Sequence, residues 1–144
     1  MIGGLIIKMI NNTDLVKVRN EIKRLVSRDE RVVVRAHGDD FNRKIFEMRD
    51  VDMVIGLEFF KRDRLKQRDS GLNEVLVKLA KKNGIVIGVD VGRLVKLDKL
   101  EKAKVLSRVR QNIKLCKRVG VGVVGWPFDI IEKRDFEAFL KVVG

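Results

Sequence analysis

One cysteine, one proline, one histidine and no tyrosine are spread over 144 residues, and each shortage closes a route to function. A lone Cys116 excludes a disulfide framework and a cysteine-based metal site. Its spacing from Val109 and Ile113 places it on the buried side of a helix, where cysteine packs as a small hydrophobe. His37 is the single imidazole, whereas a zinc hydrolase normally uses two or more plus an open position for water. Phe59-Phe60 and Trp126 with Phe128 are the only aromatic clusters near predicted strand ends, so a stacking platform for single-stranded nucleic acid is missing. No apolar run approaches the roughly 20 residues of a membrane span. Residues 1–7 are too short, and lack the basic lead, for a secretory signal. These absences lead us to expect a cytoplasmic protein without a membrane partner. No proline- or serine-rich linker divides the chain, so residues 1–144 are expected to form a single domain, long enough for a real core.

What is abundant is positive charge. Thirty-two Lys and Arg face 20 Asp and Glu, a net of +12. Two stretches hold most of the excess. Lys61 to Arg68 carries a net of +4, and Lys96 to Arg118 a net of +7. A lysine-rich solvated surface would balance its signs, whereas a clustered excess is the footprint of a polyanion-binding surface, nucleic acid first.

Hydrophobic patterning predicts strand–helix alternation. Strands are expected over Gly4–Ile10, Arg31–Ala36, Val51–Leu57, Ile85–Val91 and Gly120–Trp126. Between them, Thr13 or Asn12 caps a helix carrying Leu15, Val18, Ile22 and Leu25, and a short helix spans Phe41–Met48. A third runs from Ser70 to Lys82 with Leu72, Val75, Leu76, Leu79 and Ala80 at helical spacing, closed by Asn83-Gly84. Asp98 and Glu101 open a long basic helix reaching Arg118, and a last helix covers Asp135–Val143. Nearly continuous apolar strands joined by helices indicate a parallel α/β sheet with right-handed crossovers. The pattern leaves two closures open, a flat doubly wound sheet or part of a (β/α) barrel, and both gather sites at the carboxyl ends of the strands.

Several residues fall at those ends. His37, Asp39, Asp40, Glu58, Asp90 and Asp129 are oxygen-rich enough for magnesium or manganese, although the single histidine argues against a catalytic metal. Asp39 and Asp40 are explained more simply by turn amides or by Arg43. Ser70 is expected to cap the helix after it. Gly120 to Gly125 spells G-x-G-x-x-G, but inside a strand and not at a strand-to-helix turn, so it is not a dinucleotide loop. No nucleophile elbow occurs. Cations remain: Arg35, Arg43, Arg68 and Arg93 at strand ends and turns, and Arg108, Arg110, Lys114, Lys117 and Arg118 off the buried stripe of the long helix. Such a set suits backbone contact with a folded RNA, which needs charge and shape more than base reading.

In order along the chain stand Gly38-Asp39-Asp40-Phe41-Asn42-Arg43, Arg49-Asp50-Val51-Asp52, Asp69-Ser70-Gly71-Leu72 with its Leu-rich helix, the strand Ile85–Val91, and Ser107, Arg110 and Asn112-Ile113. This ordered set, over roughly residues 31–126, resembles archaeal ribonuclease P protein component 3, counterpart of the thirty-kilodalton subunit of the eukaryotic enzyme. The resemblance implies a TIM-barrel-like fold related to polymerase-and-histidinol-phosphatase hydrolases, but without their metal-ligand histidines. It implies a protein subunit of ribonuclease P, the endoribonuclease that removes the 5′ leader from precursor tRNA. Catalysis would reside in the RNA and use Mg2+, with no cofactor bound by this chain. Partners would be the ribonuclease P RNA, protein component 2 and, indirectly, precursor tRNA.

The chain departs from the family at its opening strand and at Glu74, where a basic or histidine residue usually follows D-S-G. It is also short against the about 250 residues of a closed (β/α)8 barrel. The expected fold is therefore an abbreviated or incomplete TIM-type barrel, open-edged and completed by a partner. Asp69-Ser70-Gly71 would be a structural turn that aims Arg68 at RNA. The alternative function is a degenerate metal-dependent phosphoesterase using His37, Asp39 and Asp90.

Overall fold

A computed structural model describes residues 7–59 and 70–127, together with Ala138, Phe139 and Lys141. The elements in order are β1 (Met9–Ile10), α1 (Leu15–Ser27), β2 (Val33–Arg35), α2 (Asp39–Phe46), β3 (Met53–Ile55), a 3-10 turn (Leu57–Phe59), α3 (Glu74–Asn83), β4 (Val86–Asp90), α4 (Val91–Leu94), α5 (Lys99–Val119) and β5 (Val123–Trp126). The basic loop Lys61–Arg68, Asp69, Asp129 and most of the expected last helix lie outside the described residues.

Local chemistry fixes the helix ends. Asp14, rather than Thr13 or Asn12, caps α1, accepting from the backbone N–H of Val16 at 3.0 Å. Asn12 sits one layer further out and accepts from the Asp14 amide at 2.9 Å. In α3 the cap is Asn73, whose Oδ1 accepts from Leu76 N–H at 2.9 Å. The helix therefore starts at Glu74 and not at Ser70. Asp98 caps α5 through Glu101 N–H at 2.9 Å. Gly84 and Gly120 end α3 and α5 with φ of 70° and 90°, the left-handed position that glycine occupies without a steric cost.

All four strand pairs are parallel and the order is β1-β2-β3-β4-β5. A doubly wound sheet reverses its order partway and carries helices on both faces. Here the alternate residues Val32, Val34, Val54 and Ile87 bury against Val18 and Ile22 of α1, Ile45 and Phe46 of α2, Val77 of α3 and Cys116 of α5. The intervening residues Val33, Met53 and Ile55 pack with Ile7 and with strand neighbours, among them Met9, Val86, Val124 and Trp126. Among the described residues the helices cover one face, as in a TIM-type barrel, and the five-stranded sheet is an unclosed arc.

Gly88 is where the inner face is tightest. A Cβ there would lie 2.4 Å from Ile55 Cγ2 and 2.8 Å from Met53 Sδ. Gly88→Ala should therefore cost about 1–3 kcal/mol by overpacking, whereas Gly38→Ala, whose Cβ would meet nothing within 4 Å, should cost much less. Urea unfolding of both variants checks this, and equal losses would contradict it.

Candidate nucleic-acid interface and strand-end cleft

The carboxyl ends of β2, β3 and β4 enclose a cleft of about 380 Å³ lined by Arg35, His37, Asn42, Gly56, Phe59 and Arg93, among others. Arg35 of its lining is held in an ion pair. Arg35 Nη1 lies 2.9 Å from Asp90 Oδ2, and both side chains are largely buried. The second oxygen of Asp90 accepts from Arg93 N–H at 3.1 Å, capping the single turn α4. Gly56, at φ 87°, turns the chain away after β3 beside the Arg35 guanidinium, which stands 3.6 Å from where a Cβ would be.

Asn42 clamps the β2–α2 loop. Its Oδ1 accepts from His37 N–H at 2.8 Å, and its Nδ2 donates to the His37 carbonyl at 3.0 Å. The His37 ring meets Phe41 edge-on at 5.0 Å, and its Nε2 is shielded without a hydrogen-bond partner. Burial, and then the Arg35 charge, lower its pKa, so the imidazole is neutral at pH 7. Arg93 reaches over the Phe59 ring at 4.3 Å from the centroid.

Glu58 lies fully inside the protein (1% exposed), with Oε1 accepting from Asp90 N–H at 3.3 Å. Burial pushes its pKa up to about 7. The carboxylates proposed for a metal have other roles. Asp90 is held by Arg35, Glu58 faces a backbone amide, and Asp39 and Asp40 are exposed in the first turn of α2. Among the described residues no three His, Cys, Asp or Glu side chains converge as metal ligands.

The turn Ser70-Gly71 joins β3 to α5. Ser70 Oγ donates to Asn112 Oδ1 at 2.6 Å and accepts from Leu72 N–H at 2.9 Å. Gly71 N–H donates to the Leu57 carbonyl at 3.0 Å, and a Cβ on Gly71 would lie 3.0 Å from Leu57 Cδ2. Ser70 is therefore an interior tie and not a helix cap. Asn112, its partner, appears in the sequence pattern without a role, and its position on the apolar stripe of α5 carries it inward to meet Ser70.

The nine expected RNA-contacting cations separate. Arg68 lies outside the described residues. Arg108, expected off the buried stripe, is 4% exposed and directs Nη1 toward the Glu58 carbonyl at 3.5 Å. Its register with Val105, Val109 and Asn112 turns it inward, and only its charge had suggested otherwise. Arg35 is committed to Asp90. Arg43 is exposed and pairs with Glu47 at 2.9 Å. Arg93, Arg110, Lys114, Lys117 and Arg118 are exposed. These fall into two places: Arg93 sits at the strand-end cleft, while the α5 residues run toward the helix end that precedes β5. Cys116 is buried, its thiol pushed up to about 11 by burial, and is part of the core. No helix of the described residues is long and apolar enough to cross a membrane.

No family model matches the sequence. Ribonuclease P protein component 3 of Methanococcus maripaludis strain C7 is 30% identical over 112 residues, covering 75% of this chain and 46% of that protein. The protein of the same name from Methanocaldococcus jannaschii is 29% identical over 132 residues, covering 88% of this chain and 54% of the relative. A chain in a cryo-EM structure of archaeal ribonuclease P with mature tRNA superposes with a TM-score of 0.74 at 25% identity, over 94% of this chain and 58% of that one. The chain is homologous to these component 3 proteins, and it spans about half the length of the curated relatives it matches.

A raised carboxyl pKa gives a testable pH dependence. Between the ordinary carboxyl value near 4.5 and the folded value near 7, native Glu58 retains a proton that the unfolded chain has lost. Stability from this group is complete below pH 4.5 and falls as pH rises toward 7, by about 3 kcal/mol. Glu58→Gln should remove that fall in urea unfolding measured from pH 4.5 to 7.5. An unchanged profile would show that Glu58 ionises freely.

Proposed function

We propose that this chain is a protein subunit of ribonuclease P, binding the enzyme's RNA and assisting 5′-leader removal from precursor tRNA. The observation that carries the reading is the superposition of 94% of the chain on part of an archaeal ribonuclease P assembly with tRNA. The net charge of +12 and the exposed cations of α3 and α5 support the same role. In this proposal Arg43, Arg93, Arg110, Lys114, Lys117 and Arg118 contact RNA phosphates, joined by Arg68. Arg35 and Arg108 support the structure from inside. The RNA carries out cleavage with Mg2+, protein component 2 is the protein partner, and the complex works in the cytoplasm.

Reconstitution tests this directly. Precursor tRNA cleavage by the ribonuclease P RNA with component 2 is followed against Mg2+ with and without this chain. Adding the chain should raise the rate at low Mg2+ and lower the Mg2+ needed for half-maximal cleavage. No shift in either quantity would reject the proposal.

A further inference from the structure

The exposed cations are not spread evenly over the helical face. From Val75 to Val89 and from Lys102 to Phe128 the sequence contains no Asp or Glu. Those two stretches include α3 after its first residue and all but the start of α5, and the two helices pack against each other. Their exposed residues include Lys78, Lys81, Lys82, Arg110, Lys114, Lys117 and Arg118. The helix ends are tied: Lys81 Nζ donates to the Gly120 carbonyl at 3.2 Å. Among the described residues, carboxylates pair with cations only at the starts of these two helices, Glu74 with Lys78 at 3.5 Å and Glu101 with Lys104 at 3.8 Å. In α1 and α2 the pairs lie further along, Arg24 on Glu21 and Arg43 on Glu47.

From these observations we infer that the C-terminal halves of α3 and α5 form one phosphate-binding surface for double-helical RNA, at the end of the sheet opposite the strand-end cleft. This rests on the RNA-binding reading above and locates it. Both helices run back to the amino ends of β4 and β5, so the surface and the cleft lie at opposite poles. Arg110 to Arg118 extends about 12 Å at 1.5 Å per residue, and the neighbouring helix axis lies about 8–10 Å away. Such a surface spans several phosphates at once.

Helix-dipole compensation accounts for cations in a last turn, as with Lys81, Lys82, Lys117 and Arg118. It does not account for Arg110 and Lys114, or for two long stretches without a carboxylate, although Lys78 is paired with Glu74 at 3.5 Å. The polymer's chemistry follows from what accompanies the charge. Single-strand binding would use aromatic platforms, yet neither α3 nor α5 contains an aromatic residue. A membrane surface would ask for apolar side chains to insert among the cations. The exposed large hydrophobics of these two helices are Val75 and Leu100, each near the opposite end of its helix.

Binding of the full chain to a fluorescent RNA hairpin, titrated from 50 to 300 mM salt, tests the assignment. Changing Lys82, Lys114, Lys117 and Arg118 together to Gln should flatten the slope of log affinity against log salt by about three to four units. Removing the same charge from α1 and its C-cap, by Lys17, Arg19, Lys23 and Arg28→Gln, should change it by less than about one. Exchanging Lys for Arg and Arg118 for Lys at the four sites should restore binding, which separates lost charge from lost folding. Equal effects of the α1 and α3–α5 variants would overturn the inference in favour of a diffuse field. Tighter binding of a single strand of equal length, or of phosphatidylserine vesicles, at matched salt would overturn the duplex assignment. A reconstituted enzyme that still responds to the chain while the α3–α5 variant binds normally would leave the subunit role standing and reject this surface.

Discussion

Packing of the described helices on one face of the sheet is the constraint from which the rest of this structure follows. Each strand sends alternate residues outward to the helices and the others inward. Among the described residues the inward set packs against its own strand neighbours. Val33, Met53 and Ile55 are nonetheless buried, enclosed by Met9, Val86, Val124 and Trp126. Gly88 lets Ile55 and Met53 close over β4. A sheet packed in this manner is a segment of a barrel wall, and its two poles acquire different chemistry.

At the carboxyl pole, charge is largely consumed within the fold. Arg35 is neutralised by Asp90, Asp90 also caps α4, and Glu58 accepts the Asp90 amide. The low dielectric that raises the Glu58 pKa also makes an unpaired charge there costly, so pairing within this network rigidifies the strand ends. Ser70, Asn112 and Gly71 extend the rigid region from β3 to α5. At the amino pole the stretches 75–89 and 102–128 hold no carboxylate, and the exposed cations of the helix ends face solvent. A strand-end cleft is the usual place to look for ligands in such folds, but among the described residues the larger cationic surface is at the other pole.

Much of the architecture was legible in the residues. Five apolar runs placed the five strands, Asn83-Gly84 marked the end of α3, and Asp98 with Glu101 marked the start of α5. Whether the sheet was doubly wound could not be read, since winding direction depends on which face each crossover takes, and a fully buried strand shows the same apolar run either way. The one-turn α4 escaped because four residues carry no period. Ser70 read as a cap because a hydroxyl before a helix usually is one; the competing acceptor, Asn112, is 42 residues away. Arg108 was misplaced for a related reason. Charge suggested solvent, while its register beside Val105, Val109 and Asn112 turned it into the interior.

The central claim is that this arc meets RNA chiefly through the outer face of α3 and α5, with Arg93 a lesser contact at the strand-end cleft. Backbone amide NMR of the isotope-labelled chain, titrated with an RNA duplex, tests it most directly. The account predicts progressive, saturable shifts that are largest over Lys78–Gly84 and Arg110–Gly120, smaller at Arg93, and absent at Arg35–Gly38. Shifts concentrated at the cleft residues, with α3 and α5 silent, would contradict it.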